Sequence, residues 1–489
     1  MLLGVWLDYY LMKEKLRHPI IVYGFMDFES FLLRFSSISQ DPQLRYLTDA
    51  IFHLLLPREA GVEKRFKGGL LIWALWVLQK LTSSRRARGA RPNSATASSS
   101  SPHYGFRILS TPAHHDSLSP ILEQIPRAQR TLYGFGWDGA DDGEEVKASD
   151  LLRNLSLLRY RESAVALWDA VRTARRLHRI LCRMRGKPKG IIRADFSPRM
   201  AELVLRQRLE LAVLKRMPCP HQAVFLTYEL MPEAKAWVQW ARESGTRVIH
   251  VMHGQWLPTY QVTLATDLLL FSKVDEPWFR ERVAPQVKIW TIGHPRLDMI
   301  RREVGLPEAP SSPRLPRIAF FSQPSEGDYS RELRRRDWAI LAGLKGRAEV
   351  RFRPHPRESL EVATMDLKST GADFIELSEA GLKEDLAWCD AVASSWSTVS
   401  MEAAACGRGI FWTCSTPERY EASQELRDHG IGMLLTDAAQ WKQPLEDWAH
   451  EGWQAPVIVP ESRLRVLGMI GDMDIPWMER LGLAPSGFE

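Results

Sequence analysis

The sequence predicts an α/β fold of two doubly wound domains, each with a parallel sheet covered by helices on both faces. Short apolar runs alternate with helical patterns along much of the chain, as expected for buried parallel strands and their crossover helices. The alternation stops once, at the Pro- and Ser-rich stretch 305–316, and then restarts. One alternating series on each side of a single break indicates two sheets, with a ligand site in the cleft between them.

Apolar runs bounded by turn residues give the individual strands. The strands predicted for the first sheet are 106–110, 223–228, 247–252, 267–272 and 288–292. Those predicted for the second sheet are 317–322, 349–353, 374–377, 391–393 and 409–412. Proline lacks a donor N–H and fixes φ, so neither a helix nor a central strand continues through the break.

These patterns divide the chain into five predicted parts. They are a helical N-terminal segment 1–81, a flexible Ser/Arg/Ala-rich linker 82–103, an N-terminal Rossmann-like domain 104–304, an interdomain linker 305–316 and a C-terminal Rossmann-like domain 317–489. A resemblance to a known family, given below, implies that residues 104–304 are the acceptor domain and residues 317–489 the nucleotide-binding domain.

Composition restricts the function classes. The 489 residues are 45% hydrophobic and 25% charged, as in an ordinary globular protein, and suffice for two or three domains. The formal charge of +6 is a mild surplus that suits a protein handling phosphates or lying near an anionic membrane. No nucleic-acid-binding motif accompanies it, so we predict no nucleic-acid partner.

Cysteine content and apolar segments predict the compartment. The five cysteines form no CxxC pair, which argues against a disulfide framework and a cysteine-rich zinc site. The N-terminus lacks the order of a secretory signal, and the apolar stretch 69–81 is too short to span a bilayer. We therefore predict a cytoplasmic protein. The stretch 69–81 has basic flanks, so it either contacts the inner face of the cytoplasmic membrane or is a buried helix.

The first candidate catalytic cluster is His253-Gly254-Gln255, directly after the strand 247–252. A histidine at a strand end faces the ligand side of such a sheet, and its pKa suits general-base work near neutral pH. Its alternative is a structural histidine bonded to a loop carbonyl. Glu229, at the end of the preceding strand, is a second candidate base.

A second cluster, Gly293-His294-Pro295-Arg296, follows the strand 288–292. It is either a turn that sets the interdomain linker or a loop from which Arg296 reaches a phosphate. The cluster His114-His115-Asp116 follows the first predicted strand on the acceptor side, and His115 and Asp116 are its candidate residues. No third ligand stands at zinc spacing from them, so we predict no metal.

The remaining clusters lie in the second half. Arg353-Pro354-His355-Pro356 ends the strand 349–353, and a rigidly held imidazole beside a guanidinium suits a diphosphate. After the strand 391–393, hydroxyls and a carboxylate lead into a predicted helix whose N-terminus could bind an anion; their alternatives are an N-cap and a capping box. The donor-binding candidates in this segment are Ser394, Ser395, Ser397, Thr398 and Glu402.

The order of these clusters resembles GT-B glycosyltransferases of bacterial surface polysaccharide synthesis. It is similar to the CDP-glycerol glycerophosphotransferases and to the capsular polysialyl and Kdo transferases, over about residues 223–415. The matching positions are His253-Gly254, Asp267, Ser272, Gly293-His294-Pro295-Arg296-Leu297-Asp298, Arg353-Pro354-His355-Pro356, Trp396-Ser397-Thr398-Val399 and Glu402.

The resemblance implies a metal-independent enzyme that moves a sugar or polyol phosphate from a CMP- or CDP-linked donor to a glycan acceptor of capsule or lipopolysaccharide. It implies that His253 is the base, and that Arg353, His355, Ser397, Thr398 and Glu402 hold the nucleotide diphosphate and ribose. The nucleotide sugar is then a co-substrate, and no cofactor is expected. Two alternatives stay open: a nucleotide-sugar 2-epimerase of the same fold, and a non-catalytic scaffold for glycan assembly.

Overall fold

A computed structural model describes the chain from residue 102 to residue 483, with gaps. The described residues are 102–109, 112–135, 146–148, 165–173, 175–176, 196–216, 219, 221–229, 232–254, 263–307, 314–323, 331–355, 358, 360–370, 372, 374–413, 426–454 and 457–483. The predicted segment 1–81, the apolar stretch 69–81, nearly all of the predicted linker 82–103, and Gln255 lie outside them.

The first sheet has, among the described residues, seven parallel strands in the order β3-β2-β1-β4-β5-β6-β7. Its strands are β1 Tyr104–Leu109, β2 Arg130–Phe135, β3 Val146–Ala148, β4 Ala223–Leu226, β5 Arg247–Val251, β6 Asp267–Leu269 and β7 Lys288–Trp290. Every residue of β4 is buried, which explains its uninterrupted apolar sequence AVFL.

The second sheet has, within the described part of the chain, six parallel strands in the order β10-β9-β8-β11-β12-β13. Its strands are β8 Arg317–Phe321, β9 Glu349–Arg353, β10 Glu376–Leu377, β11 Ala391–Ser394, β12 Gly409–Trp412 and β13 Met433–Leu434. In both sheets the strand order reverses next to the first strand, between β1 and β4 and between β8 and β11, as in a Rossmann fold. The predicted α/β class with two Rossmann-like sheets is confirmed.

Helices cover both sheets. They are α1 Pro112–Asp116, α2 Ser119–Leu122, α3 Phe196–Leu214, α4 Pro232–Glu243, α5 Glu276–Arg282, α6 Pro295–Val304, α7 Arg331–Ala342, α8 Leu360–Ser369, α9 Leu382–Trp388, α10 Val399–Ala405, α11 Lys442–Glu451, α12 Glu461–Val466 and α13 Trp477–Arg480.

A shared apolar core joins the two halves. Leu268 and Phe271 of the first half belong to the same buried cluster as Met401 and Trp412 of the second. Helix α6 contributes to both sides, because it packs against α1 and α2 as well as α9 and α10. A continuous apolar interface of this kind restricts relative motion of the two halves.

The end of the described chain returns to the first sheet. Trp477 and Leu481 pack against Tyr104 and Phe106 of β1, although the sequence assigns residues 317–489 to the second domain. The Arg480 guanidinium also lies 2.9 Å from the Asp298 carboxylate on α6. This return therefore ties the second half of the sequence to the first sheet.

We expect Gly293→Ala to destabilise the protein. Gly293 has φ of 96°, and a β-carbon placed on it would lie 2.4 Å from the backbone nitrogen of Gly471. Strain of this type typically costs about 1–3 kcal/mol. The control is Gly245→Ala, where φ is 73° but no atom lies within 4 Å of the added carbon. Urea unfolding should show the larger loss for Gly293→Ala; equal losses would contradict the close packing of this turn.

Candidate active site

The candidate site lies at the carboxyl ends of the first sheet, where its strand order reverses between β1 and β4. Three polar residues follow neighbouring strands there: His114 on α1 after β1, Thr227 directly after β4, and His253 just after β5. Because these strands are adjacent and parallel, the three side chains meet at one edge.

Backbone contacts fix the imidazole of His253. Its Nδ1 lies 2.7 Å from the carbonyl oxygen of Thr227. A carbonyl only accepts hydrogen bonds, so Nδ1 carries the proton in the neutral ring and Nε2 has the lone pair. His294 orients the same loop by donating from Nε2 to the carbonyl of Met252, at 2.6 Å. Nδ1 therefore makes the carbonyl contact expected of a structural histidine, while Nε2 keeps the lone pair that a general base needs.

A second imidazole lies against the first. The ring centroids of His114 and His253 are 4.0 Å apart, with planes inclined by 35°. His114 Nδ1 is 2.7 Å from Thr227 Oγ1, so one threonine anchors both rings. Tyr228 approaches both rings edge-on. The sequence placed the cluster His114-His115-Asp116 on the acceptor side, with His115 and Asp116 as the candidate residues.

Burial keeps both rings neutral. Desolvation lowers the pKa of His253 to about 4, and the nearby positive charge of Arg296 adds to the effect. Desolvation, with the neighbouring His253 and Arg107, lowers the pKa of His114 to about 2. A general base must be unprotonated to accept a proton, and His253 meets that condition at neutral pH.

The loop that follows β11 faces the His253 loop across the cleft. A β-carbon placed on Gly254 would lie 3.3 Å from Thr398 Oγ1. Thr398 and Ser397 are partly exposed, and Ser397 Oγ accepts a hydrogen bond from the Val399 backbone. Thr398, predicted to bind the donor, therefore lies beside Gly254, predicted for the acceptor side.

Arg296 and Glu402 form a buried ion pair between α6 and α10. Arg296 Nε and Glu402 Oε1 are 2.5 Å apart, and Glu402 is fully buried. Desolvation raises the pKa of Glu402 against the influence of Arg296, and nearby Asp116 raises it further. Glu402 was predicted to bind donor; in the structure it contacts Arg296, because α10 turns this face toward α6. A ribose reaches Glu402 only if that contact opens.

Two further donor-binding candidates, Ser394 and Ser395, are hydrogen-bonded within the protein. Ser394 Oγ is 2.9 Å from Ser400 Oγ, and Ser395 Oγ donates to Asp337 at 2.7 Å. Both serines are buried. They stabilise the turn after β11 from inside the fold, because the strand-end backbone directs their side chains inward. The helix that begins at Val399 has only seven residues.

The guanidinium of Arg353 is also bonded within the protein. It lies 2.8 Å from Asp385, which is fully buried, and donates to the Ala380 carbonyl. Arg353 therefore fixes the second-half loop and does not extend freely toward a diphosphate. His355 is partly exposed, and its backbone N–H donates to Glu358 at 2.8 Å; Glu358 in turn pairs with Arg334.

Glu229, the second candidate base, is paired within the protein. Its carboxylate is 2.8 Å from Lys235 Nζ, and both side chains are 1% exposed. Thr263 Oγ1 and the Leu264 N–H also donate to it. Burial would raise the pKa of Glu229, but Lys235 and His250 outweigh it and hold the pKa below its usual value. Glu229 would have to leave these partners before it could accept a proton from a substrate.

The remaining predictions fall at the edge of the site. His115 is half-exposed, with its Nδ1 4.0 Å from Asp116 Oδ1. Asp116 lies near enough to Glu402 to influence its pKa. In the described part of the chain, no group of three or more His, Cys, Asp or Glu side chains is arranged to hold a metal ion, and no helix there has the length and apolar character needed to cross a bilayer.

Stability should depend on pH through His253. Its pKa in the fold, about 4, lies below the roughly 6.5 of an unfolded chain. Between these values the unfolded chain binds a proton that the folded chain does not, so stability is full above about pH 6.5 and decreases as pH falls toward 4. We expect His253→Asn to reduce this slope by up to about 1.4 kcal/mol per pH unit in urea unfolding. An unchanged slope would contradict the depressed pKa.

Comparison with known proteins gives fold similarity only. A scan of protein-family models and a search of curated proteins both find no match. The UDP-GlcNAc 2-epimerase of Methanocaldococcus jannaschii is 15% identical over 74% of this chain and 98% of its own, with a TM-score of 0.43. The glycotransferase of kitacinnamycin is 13% identical over 75% and 97%, with a TM-score of 0.42. The wall teichoic acid polymerase TagF is 14% identical over 46% and 63%, with a TM-score of 0.30. At these values the likeness assigns neither a family nor an activity.

Proposed function

We propose that the protein is a glycosyltransferase that moves a sugar, or a polyol phosphate, from a nucleotide-activated donor to a glycan hydroxyl. The observation that carries the proposal is the state of His253: Nδ1 is bonded to a backbone carbonyl, the ring is neutral, and its loop faces Thr398 across the cleft. This leaves Nε2 as the basic atom at the junction of the two sheets.

For sugar transfer the chemistry is a displacement at the anomeric carbon. The acceptor O–H gives its proton to His253 Nε2 while its oxygen bonds to the anomeric carbon. The bond from that carbon to the donor phosphate breaks, and its electron pair leaves with the nucleotide. Negative charge then grows on the phosphate, so fixed donors and cations near it lower the barrier.

On the donor side, we assign the leaving phosphate to Ser397 and Thr398, which follow β11, and to His355, which follows β9 at the carboxyl edge of the same sheet. Arg296 acts electrostatically on both His253 and Glu402, but its ion pair with Glu402 must open before it binds a phosphate. Ser394, Ser395, Arg353 and Glu229 are left out of the proposed machinery because their polar atoms are bonded within the protein.

A thermal-shift panel with CMP, CDP, UDP and GDP tests the proposal. A ligand that binds the folded state raises its apparent stability by about 2.7 kcal/mol at one hundred times its Kd. We expect a clear shift with one base, which identifies the donor class. Absence of a shift with all four nucleotides would favour the alternative of a non-catalytic scaffold.

Product analysis then separates transfer from epimerisation. CMP-N-acetylneuraminic acid, CMP-Kdo, CDP-glycerol and UDP-GlcNAc are incubated with the protein, and the released nucleotide is measured. A transferase releases the nucleotide as its leaving group. A 2-epimerase would instead return an altered nucleotide sugar without an acceptor, and that result would replace the proposed function.

A further inference from the structure

The second imidazole, His114, has no part in the chemistry described so far. It is 8% exposed, its ring lies against His253, and its Nδ1 contacts Thr227 Oγ1. Within the described part of the chain, nothing is hydrogen-bonded to Nε2 of either ring. Each ring is therefore anchored through Nδ1 and keeps Nε2 as its second hydrogen-bonding atom.

We propose that His114 and His253 together form an acceptor subsite for two neighbouring hydroxyls. This inference rests on the proposed function. One hydroxyl gives its proton to His253 Nε2 and becomes the nucleophile. The adjacent hydroxyl is hydrogen-bonded to His114 Nε2 and stays intact throughout the reaction. The predicted acceptor class is therefore a vicinal diol, as in a sugar ring or a glycerol unit.

Ring geometry supports a paired site over two independent ones. The centroids are 4.0 Å apart and the planes are inclined by 35°, so the faces of the two rings lie against each other. Both use Nδ1 toward the same residue, which places both Nε2 atoms on the side away from Thr227. Adjacent oxygens of a diol suit two such neighbouring nitrogens, whereas a single hydroxyl occupies only one.

Variants of Thr227 distinguish the contributions of the two rings. His253 is held by the Thr227 carbonyl, and His114 by its hydroxyl. Thr227→Val therefore removes the anchor of His114 and keeps that of His253, while Thr227→Ser keeps both. His114→Asn retains a polar group near the Nδ1 position, and His114→Gln retains one near Nε2. Thr227 acts as a positioning residue in this scheme.

The test measures nucleotide release from the donor that the product analysis identifies. It is run in water alone, with propane-1,2-diol, or with propane-1,3-diol. The two diols are isomers, but only the first has adjacent hydroxyls. We expect the wild type to be stimulated more by propane-1,2-diol. In His114→Asn and Thr227→Val that preference should fall by about tenfold, the loss expected for one hydrogen bond. His114→Gln and Thr227→Ser should keep most of it.

Release into water is measured for each variant, and its stimulation by each diol is expressed relative to that value, so the readout is the preference between the two diols and not the basal rate. Equal stimulation by both diols in the wild type, or an unchanged preference in His114→Asn, would overturn the acceptor subsite and leave the transferase proposal intact. No release from any donor by the wild type would instead overturn the proposed function itself.

Discussion

His253→Asn should lower the rate of nucleotide release by about 10²–10⁴-fold, the contribution typical of general acid–base catalysis. Asparagine can still donate from its amide to the Thr227 carbonyl, which His253 Nδ1 contacts at 2.7 Å. The loop anchor is therefore kept while the basic Nε2 is lost. The measurement is nucleotide release under saturating donor, in the presence and absence of acceptor.

Two controls make this result specific. Nucleotide-induced thermal shifts should be unchanged in His253→Asn, since the donor is assigned to the opposite side of the cleft. Glu229→Gln tests the competing base: its carboxylate is already bonded to Lys235 and Thr263. If His253→Asn keeps full turnover while a folded Glu229→Gln loses it, the base has been assigned to the wrong residue.

The pH profile gives an independent check on the same base. The pKa of His253 is about 4, so the imidazole is already neutral well below pH 7. The rate should therefore not follow the ordinary histidine titration near pH 6.5. Desolvation is the largest cause of this lowered pKa. The ring of His114, whose centroid is 4.0 Å from that of His253, is one of the groups that cover it.

The sheets were largely predictable because buried parallel strands are apolar along their whole length. All residues of β4, β11 and β12 are buried, and each reads as a continuous apolar or small-residue run. Strand β2 was missed because its sequence RTLYGF mixes polar, aromatic and glycine residues. The edge strands β3 and β13 were missed because they are only three and two residues long.

The site was predictable in position and less so in detail. His253 was found because it ends a clear strand, and the strand-end rule places it at the cleft. His114 was named with His115, but the sequence did not show which of the two lies beside His253, since adjacent positions on a helix point in different directions. Only the turn of α1 decides that His114 lies inside and His115 half outside.

Partners distant in sequence explain why several predicted donor residues are already bonded within the protein. Arg353, at the end of β9, matches the expected motif, but its guanidinium is paired with Asp385 on α9. Ser395 is bonded to Asp337 on α7, and Glu402 is in contact with Arg296 on α6. A pattern of residue types shows which groups can bind phosphate or ribose; it does not show which of them the fold has already paired.

Lys235→Met should destabilise the protein by about 3–5 kcal/mol, the usual cost of removing one member of a buried ion pair. Lys235 and Glu229 are each 1% exposed and 2.8 Å apart. Loss of the ammonium leaves a carboxylate in the core beside β4 with only neutral donors and His250 near it. Methionine fills most of the lysine volume, so the loss reports on charge and not on a cavity.

Lys215→Met is the matched control, because Lys215 and Glu243 are also 2.8 Å apart but are 52% and 45% exposed. Exposed pairs contribute about 0–1 kcal/mol, so this variant should unfold nearly like the wild type in urea. Removing both buried charges, in Lys235→Met with Glu229→Met, should recover part of the loss, since no unpaired ion remains. A small effect of Lys235→Met alone would mean that Glu229 is reachable by water, and Glu229 would then return as a candidate base.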